Sequence, residues 1–190
     1  MKKALEHTIF APLAERVGAL YDETEDALLL GMFGQDYVVR RSGITLRGQP
    51  IPESHEAVII DYLLSSGSVL IDAPWRSLGD LLQQSTPDFR SRVELPLSQH
   101  IEDILSHASA VLPLCDARQA ASAIGGDMAI SVRALPKVHL HVELQRQSQE
   151  FPPEAWVLFS NNADRFLSAA GLLLLGELFK DRILSLIRIY

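Results

Sequence analysis

A chain of 190 residues lies in the size range of one ordinary domain, and folding at that size buries about two-thirds of the unfolded chain's surface. Hydrophobic residues are 47% and charged residues 22% of the chain, a globular composition that excludes disorder. The formal charge of −7, from 24 acidic and 17 basic residues, repels a phosphate backbone unless a local basic stripe overrides it.

The densest basic cluster is Arg40, Arg41 and Arg47, too small for a nucleic-acid footprint. No polybasic segment suits a membrane surface. Cys115 is the single cysteine. An internal disulfide and a thiolate metal cluster are therefore excluded, and its flanks Leu112, Pro113 and Leu114 mark it as a small core residue. Met1-Lys2-Lys3 resembles a signal-peptide start, but Glu6 and His7 follow and no apolar core comes next. The most apolar stretch, Phe166 to Gly176, is about half a membrane span. A cytoplasmic protein with no membrane and no nucleic-acid partner is expected, as one domain over residues 1–190.

In chain order, Ala4 to Tyr21 predicts an amphipathic helix on Leu5, Ile9, Leu13, Val17 and Leu20, interrupted at Pro12. Ala27 to Phe33 predicts a strand. Tyr37 to Arg40 and Ile44 to Arg47 form a hairpin about Ser42-Gly43. Ser54 to Leu64 predicts a helix with Ala57, Ile60 and Leu64 on its inner side, stopped by Ser65-Ser66-Gly67. Val69 to Ile71 reads as a short strand. Trp75 opens a segment closed by Leu78, Leu81 and Leu82. Thr86 or Asp88 caps the next helix, and Pro96 breaks it. Leu97 to Val111 resumes, with Leu97, Ile101, Ile104, Ala108 and Val111 on one face. Asp116 to Ile124 predicts a short helix ended by Gly125-Gly126.

The final third is strand-rich. Met128 to Leu135, Lys137 to Arg146 and Trp156 to Phe159 predict strands, and Asn161 or Asn162 caps a short helix through Leu167. Gly171 to Tyr190 predicts the last helix, buried along Leu172, Leu175, Phe179, Ile183, Leu186 and Tyr190. Helices and strands do not alternate strictly. The fold class is therefore α+β, an antiparallel or mixed sheet with helices packed beside it.

The chemistry-bearing pattern lies in Val138-His139-Leu140-His141-Val142-Glu143-Leu144. Strand alternation turns Val138, Leu140, Val142 and Leu144 to the core and His139, His141 and Glu143 to the other face. Two imidazoles and a carboxylate so placed can hold a divalent metal. The same alternation is equally that of a half-buried strand with a solvated face. His100, Asp103 and His107 fall along one line of a helix, at the polar edge of its apolar face. Gly125-Gly126-Asp127 lacks the residues of a phosphate loop and reads as a turn. Serine-hydrolase signatures are absent. Pairs such as Glu23 with Glu25 or Glu102 with Asp103 identify no general acid and base. Trp75 and Trp156 read as core anchors.

Gly126-Asp127, Arg133-Ala134-Leu135-Pro136, Glu150-Phe151-Pro152-Pro153-Glu154-Ala155 and Leu158-Phe159 follow one another in order. With Asp61-Tyr62-Leu63-Leu64 and Trp75 ahead of them, the pattern resembles the DUF3786 family of uncharacterised bacterial and archaeal proteins, over about Ala11 to Ile183. The resemblance supplies no activity and no catalytic residues. Relatives with an added cysteine-rich iron–sulfur segment point towards anaerobic redox or one-carbon metabolism, but this chain has no such cysteines. The family pattern carries apolar residues and proline where His139 and His141 stand, so a metal site there belongs to this chain and not to the family.

Three readings stay open. The leading one is a non-catalytic binding or accessory module of unassigned ligand. The second is a metal-binding protein or metal-dependent enzyme using His139, His141 and Glu143. The third is an obligate homo-oligomer, with the leucine-rich final helix as its interface.

Overall fold

The computed structural model describes Leu5 and residues 7–189. The outer ends of the expected first and last helices, Ala4 and Tyr190, lie outside the described residues, as do Met1-Lys2-Lys3 and Glu6. Helix α1 spans Phe10–Val17. Pro12 sits in its first turn, where a missing N–H costs nothing. Gly18, with φ of 75°, ends the helix in the left-handed conformation. The chain beyond it is strand and not the continued helix the spacing predicts.

Five strands follow as an antiparallel meander: β1 Leu20–Asp22, β2 Ala27–Met32, β3 Gln35–Arg40, β4 Gly43–Leu46 and β5 Gln49–Pro50. The expected hairpin is present, with Arg40 opposite Gly43. Helix α2, Glu53–Leu64, buries Val58, Ile59, Tyr62 and Leu63. Of the side expected inward, Ala57 and Leu64 are exposed and Ile60 is half-buried at the edge of the core. Both stripes satisfy helical spacing, and packing against the sheet and the last helix selects the one carrying Tyr62. The Tyr62 hydroxyl donates to Val17 O (2.6 Å) and accepts from Lys137 N (3.1 Å), tying α1, α2 and the later strands together.

The stretch Val69 to Ile71 forms no strand. Its backbone groups are held by one side chain instead: Asn162 Oδ1 accepts from Ile71 N (2.9 Å) and Asn162 Nδ2 donates to Val69 O (2.7 Å). Short helices α3, Leu78–Leu82, and α4, Pro87–Phe89, lead into a wide turn of five residues, Arg90–Glu94, with π-helical bonding, then α5, Leu95–Ser98. Pro96 therefore does not end the helical path. The wide turn just before it absorbs the missing donor and the ring. Helix α6, Ile101–Val111, buries Ile101, Ile104 and Val111.

The second sheet is β6 Ala117–Ala120, β7 Met128–Leu135, β8 Val138–Gln145 and β9 Glu154–Phe159, antiparallel in that order. Strand β6 replaces the helix expected over Asp116 to Ile124. Asp116, at φ of 51°, turns the chain out of the preceding 3-10 turn, and its carbonyl accepts from Arg133 N at 3.0 Å. Pairing with β7 thus captures a segment whose residues alone favour a helix. A bulge at Ala134 frees its carbonyl to accept from Phe33 N (3.1 Å), joining the two sheets.

Helix α7, Ala169–Ile187, is capped by Ser168 and buries Leu172, Leu175, Phe179, Ile183 and Leu186. Its leucines pack within the chain. One continuous buried cluster runs from Leu5 to Ile187 and includes both sheets. Among the described residues no helix is long and apolar enough to cross a membrane.

Candidate functional site on the second sheet

Strand alternation places Val138, Leu140, Val142 and Leu144 in the core, each at most 1% exposed. His139, His141 and Glu143 share the opposite face, as the sequence requires. That face is not the solvated one that ordinary alternation would give. His141 is 2% and Glu143 0% exposed, because two segments roof it.

The first roof is the loop between β6 and β7. Glu143 Oε2 accepts from Ser122 Oγ (2.7 Å) and Gly126 N (3.3 Å), and Oε1 accepts from Ala123 N and from Ile124 N (3.2 Å). The loop thus wraps a nest of backbone N–H groups around one carboxylate. Gly126 makes this closure geometrically possible: a Cβ there would lie 2.9 Å from Glu143 Oε2 and 3.0 Å from Leu144 O. His141 Nε2 completes the shell at 2.8 Å from Glu143 Oε1. Burial pushes the Glu143 carboxyl up. The bonds from Ala123, His141, Ser122 and Ile124 together outweigh it and hold the group below its ordinary value of 4.5.

The second roof is the stretch before α3. The Trp75 indole stacks on the His141 ring, with centroids 5.0 Å apart and planes at 19°. Arg76 bridges to Phe159 by paired backbone bonds of 2.9 and 2.8 Å. Trp75 and Trp156 are therefore not core anchors. Both are half-buried, Trp75 in the roof and Trp156 beside Glu143 on the sheet. The half-buried indole stacks on the buried imidazole.

His139 turns elsewhere. Its Nδ1 lies 2.8 Å from Asp72 Oδ1, and it lines a cleft of about 430 Å³ with Asp72, Asp116, Arg118, Ser131 and Arg133. The volume falls within the range of small-molecule sites. Arg133 is held by Asp116 at 2.6 Å. Arg118 has no carboxylate partner among the described residues.

The three predicted ligands are thus divided. His141 and Glu143 bond to each other, and His139 pairs with Asp72. Among the described residues no group of three or more His, Cys, Asp and Glu side chains is arranged to hold a metal ion. His100, Asp103 and His107 form their own exposed chain, with His100 Nδ1 3.2 Å from Asp103 Oδ2 and His107 Nδ1 2.8 Å from Asp103 O. Cys115 is fully buried, and burial pushes its thiol up to about 11.

Sequence reasoning missed Arg118, Ser131, Asp72 and the loop of Ser122 to Gly126. The register supplies the link: Ser131 stands opposite both His141 and Arg118. That link exists only because β6 is a strand, which brings Arg118 beside Ser131. No local signal links Asp72 to His139, far apart in the chain.

Fold and site together define an α+β protein of two antiparallel sheets with a roofed polar strand face. Residues 10–182 match the family model described as a domain of unknown function, DUF3786, and the chain belongs to that family. Several residues that carry the resemblance act structurally here. Asp61 Oδ2 accepts from Ser168 N (2.9 Å) and Oγ (2.8 Å) at the start of α7, Asp127 Oδ2 accepts from Arg146 N (2.7 Å), and Gly126 admits the loop to Glu143. No curated protein and no solved structure matches the chain.

Proposed function

We propose that the protein is a binding module and that the cleft beside His139 takes a small anionic molecule, a carboxylate or a phosphate ester. The observation that carries this reading is Arg118: a guanidinium with no counter-ion among the described residues, at the rim of a 430 Å³ cleft. Guanidinium forks match carboxylate and phosphate oxygens. Arg133 and His139 flank the same space, and each is already held by one carboxylate, Asp116 or Asp72. Ser131 adds a hydroxyl at the floor. Glu143 and His141 are the rigid support beneath, since both Glu143 oxygens and His141 Nε2 are held within the Glu143 shell.

The test is a thermal-shift and calorimetric screen with inorganic phosphate, citrate, dicarboxylates and nucleoside monophosphates. A saturable rise in melting temperature with at least one of them is expected. The rise should be lost in Arg118→Ala, whose exposed position leaves folding untouched. Flat curves for every anion, or unchanged binding by Arg118→Ala, would overturn the reading.

A further inference from the structure

The second sheet has two edges, and they are treated differently. Strand β9 is covered: Val157 N donates to Glu94 Oε1 (3.1 Å), and Phe159 exchanges backbone bonds with Arg76. Strand β6 is not. Arg133 N donates to Asp116 O, so Asp116, Arg118 and Ala120 face β7 with their backbone groups. Antiparallel alternation then points the N–H and C=O of Ala117 and Gln119 outward. Among the described residues nothing bonds to them.

This open edge borders a cleft of about 650 Å³ between β6 and α6. Leu105, Ala108 and Leu112 form the helical wall, and Arg146 lies at one end. Arg118 borders this cleft as well as the one beside His139. Open backbone groups on one side and a partly apolar helix face on the other are the two requirements for adding an extended peptide to a sheet. The backbone supplies the bonds, and alternate side chains fall on the helix.

We infer that this cleft is a strand-addition site for an extended segment of a partner protein, with apolar residues at alternate positions and an acidic residue near an end. Charge selects this occupant. The chain as a whole carries −7, yet among the described residues Arg118 has no counter-ion and Arg146 pairs only with the exposed Glu102 at 3.3 Å. Such an exposed pair exchanges readily for a partner's carboxylate. The acidic Asp127 at the same end is engaged by Arg146 N. The site shares Arg118 with the one proposed beside His139 but otherwise rests on different groups, its bonds coming from Ala117 and Gln119 and its wall from α6.

Panning a random peptide library displayed on phage against the full chain tests this. Enriched peptides, synthesised and titrated by fluorescence anisotropy, should alternate apolar and polar residues and carry an acidic one. Their binding should slow amide exchange at Ala117 and Gln119. It should weaken by roughly tenfold or more in Gln119→Pro, which removes an outward N–H at a sheet edge that tolerates proline, and in Ala108→Arg, which fills the groove from the helix. Both variants should keep the wild-type melting temperature and any small-anion binding, so this site and the cleft beside His139 fail separately. If Gln119→Pro does not fold, Ala108→Arg decides. No enrichment, or binding unaffected by either substitution, overturns the inference. A dimer in light scattering that Gln119→Pro abolishes also overturns it, because a second copy would then be the occupant.

Discussion

Replacing Glu143 by glutamine changes one oxygen of a fully buried carboxylate to an NH2 group and leaves the shape intact. The carboxylate accepts from Ser122 Oγ, three backbone N–H groups and the His141 ring. Whichever way the amide turns, its NH2 faces at least two donors. Each bond to a charged group contributes about 1.5–3 kcal/mol, and the lost partners stay buried. We expect Glu143→Gln to cost about 3 kcal/mol, which at this chain length lowers the melting temperature by about 6–12 °C. The pH dependence carries a sign. The folded carboxyl titrates below its unfolded value of 4.5, so the unfolded chain binds more protons in between. Its contribution is therefore complete above the unfolded value and is lost as pH falls through the folded one. Urea denaturation at neutral and at acidic pH measures this, with amide exchange over residues 122–126. A variant within about 0.5 kcal/mol of wild type at neutral pH, with those amides equally protected, would refute the reasoning.

Three further outcomes follow from the same geometry. Cys115, buried and with its thiol pushed up to about 11, should not react with a disulfide reagent at mild alkaline pH, and should react stoichiometrically in urea. Tyr62→Phe orphans the Val17 carbonyl and the Lys137 N–H and should cost about 2 kcal/mol in denaturant titration. Trp75→Ala removes the ring stacked on His141. It should cost about 1 kcal/mol and speed exchange at His141, whereas Trp75→Phe should retain most of the protection.

Much of the architecture was legible in the chain. Strands β7, β8 and β9 and helix α7 follow from alternation and helical spacing, because their apolar residues are packed on the face that the period defines. The α+β class, the buried Cys115 and the shared face of His139, His141 and Glu143 follow from the same rules. Local pattern failed where a distant partner decided the outcome. Ala117 to Ala120 is a strand because β7 pairs with it from Ala129 to Val132, and Val69 to Ile71 is held by Asn162 and not by a sheet. Period 2 turned His141 and Glu143 away from the core but could not say what would cover them. Only the folded chain brings Ser122 to Gly126 and Trp75 over that face, turning a polar stripe into a buried dyad. Only tertiary packing leaves Arg118 without a counter-ion among the described residues, since ion pairing depends on which loops meet, and that depends on contacts across the whole length of the chain.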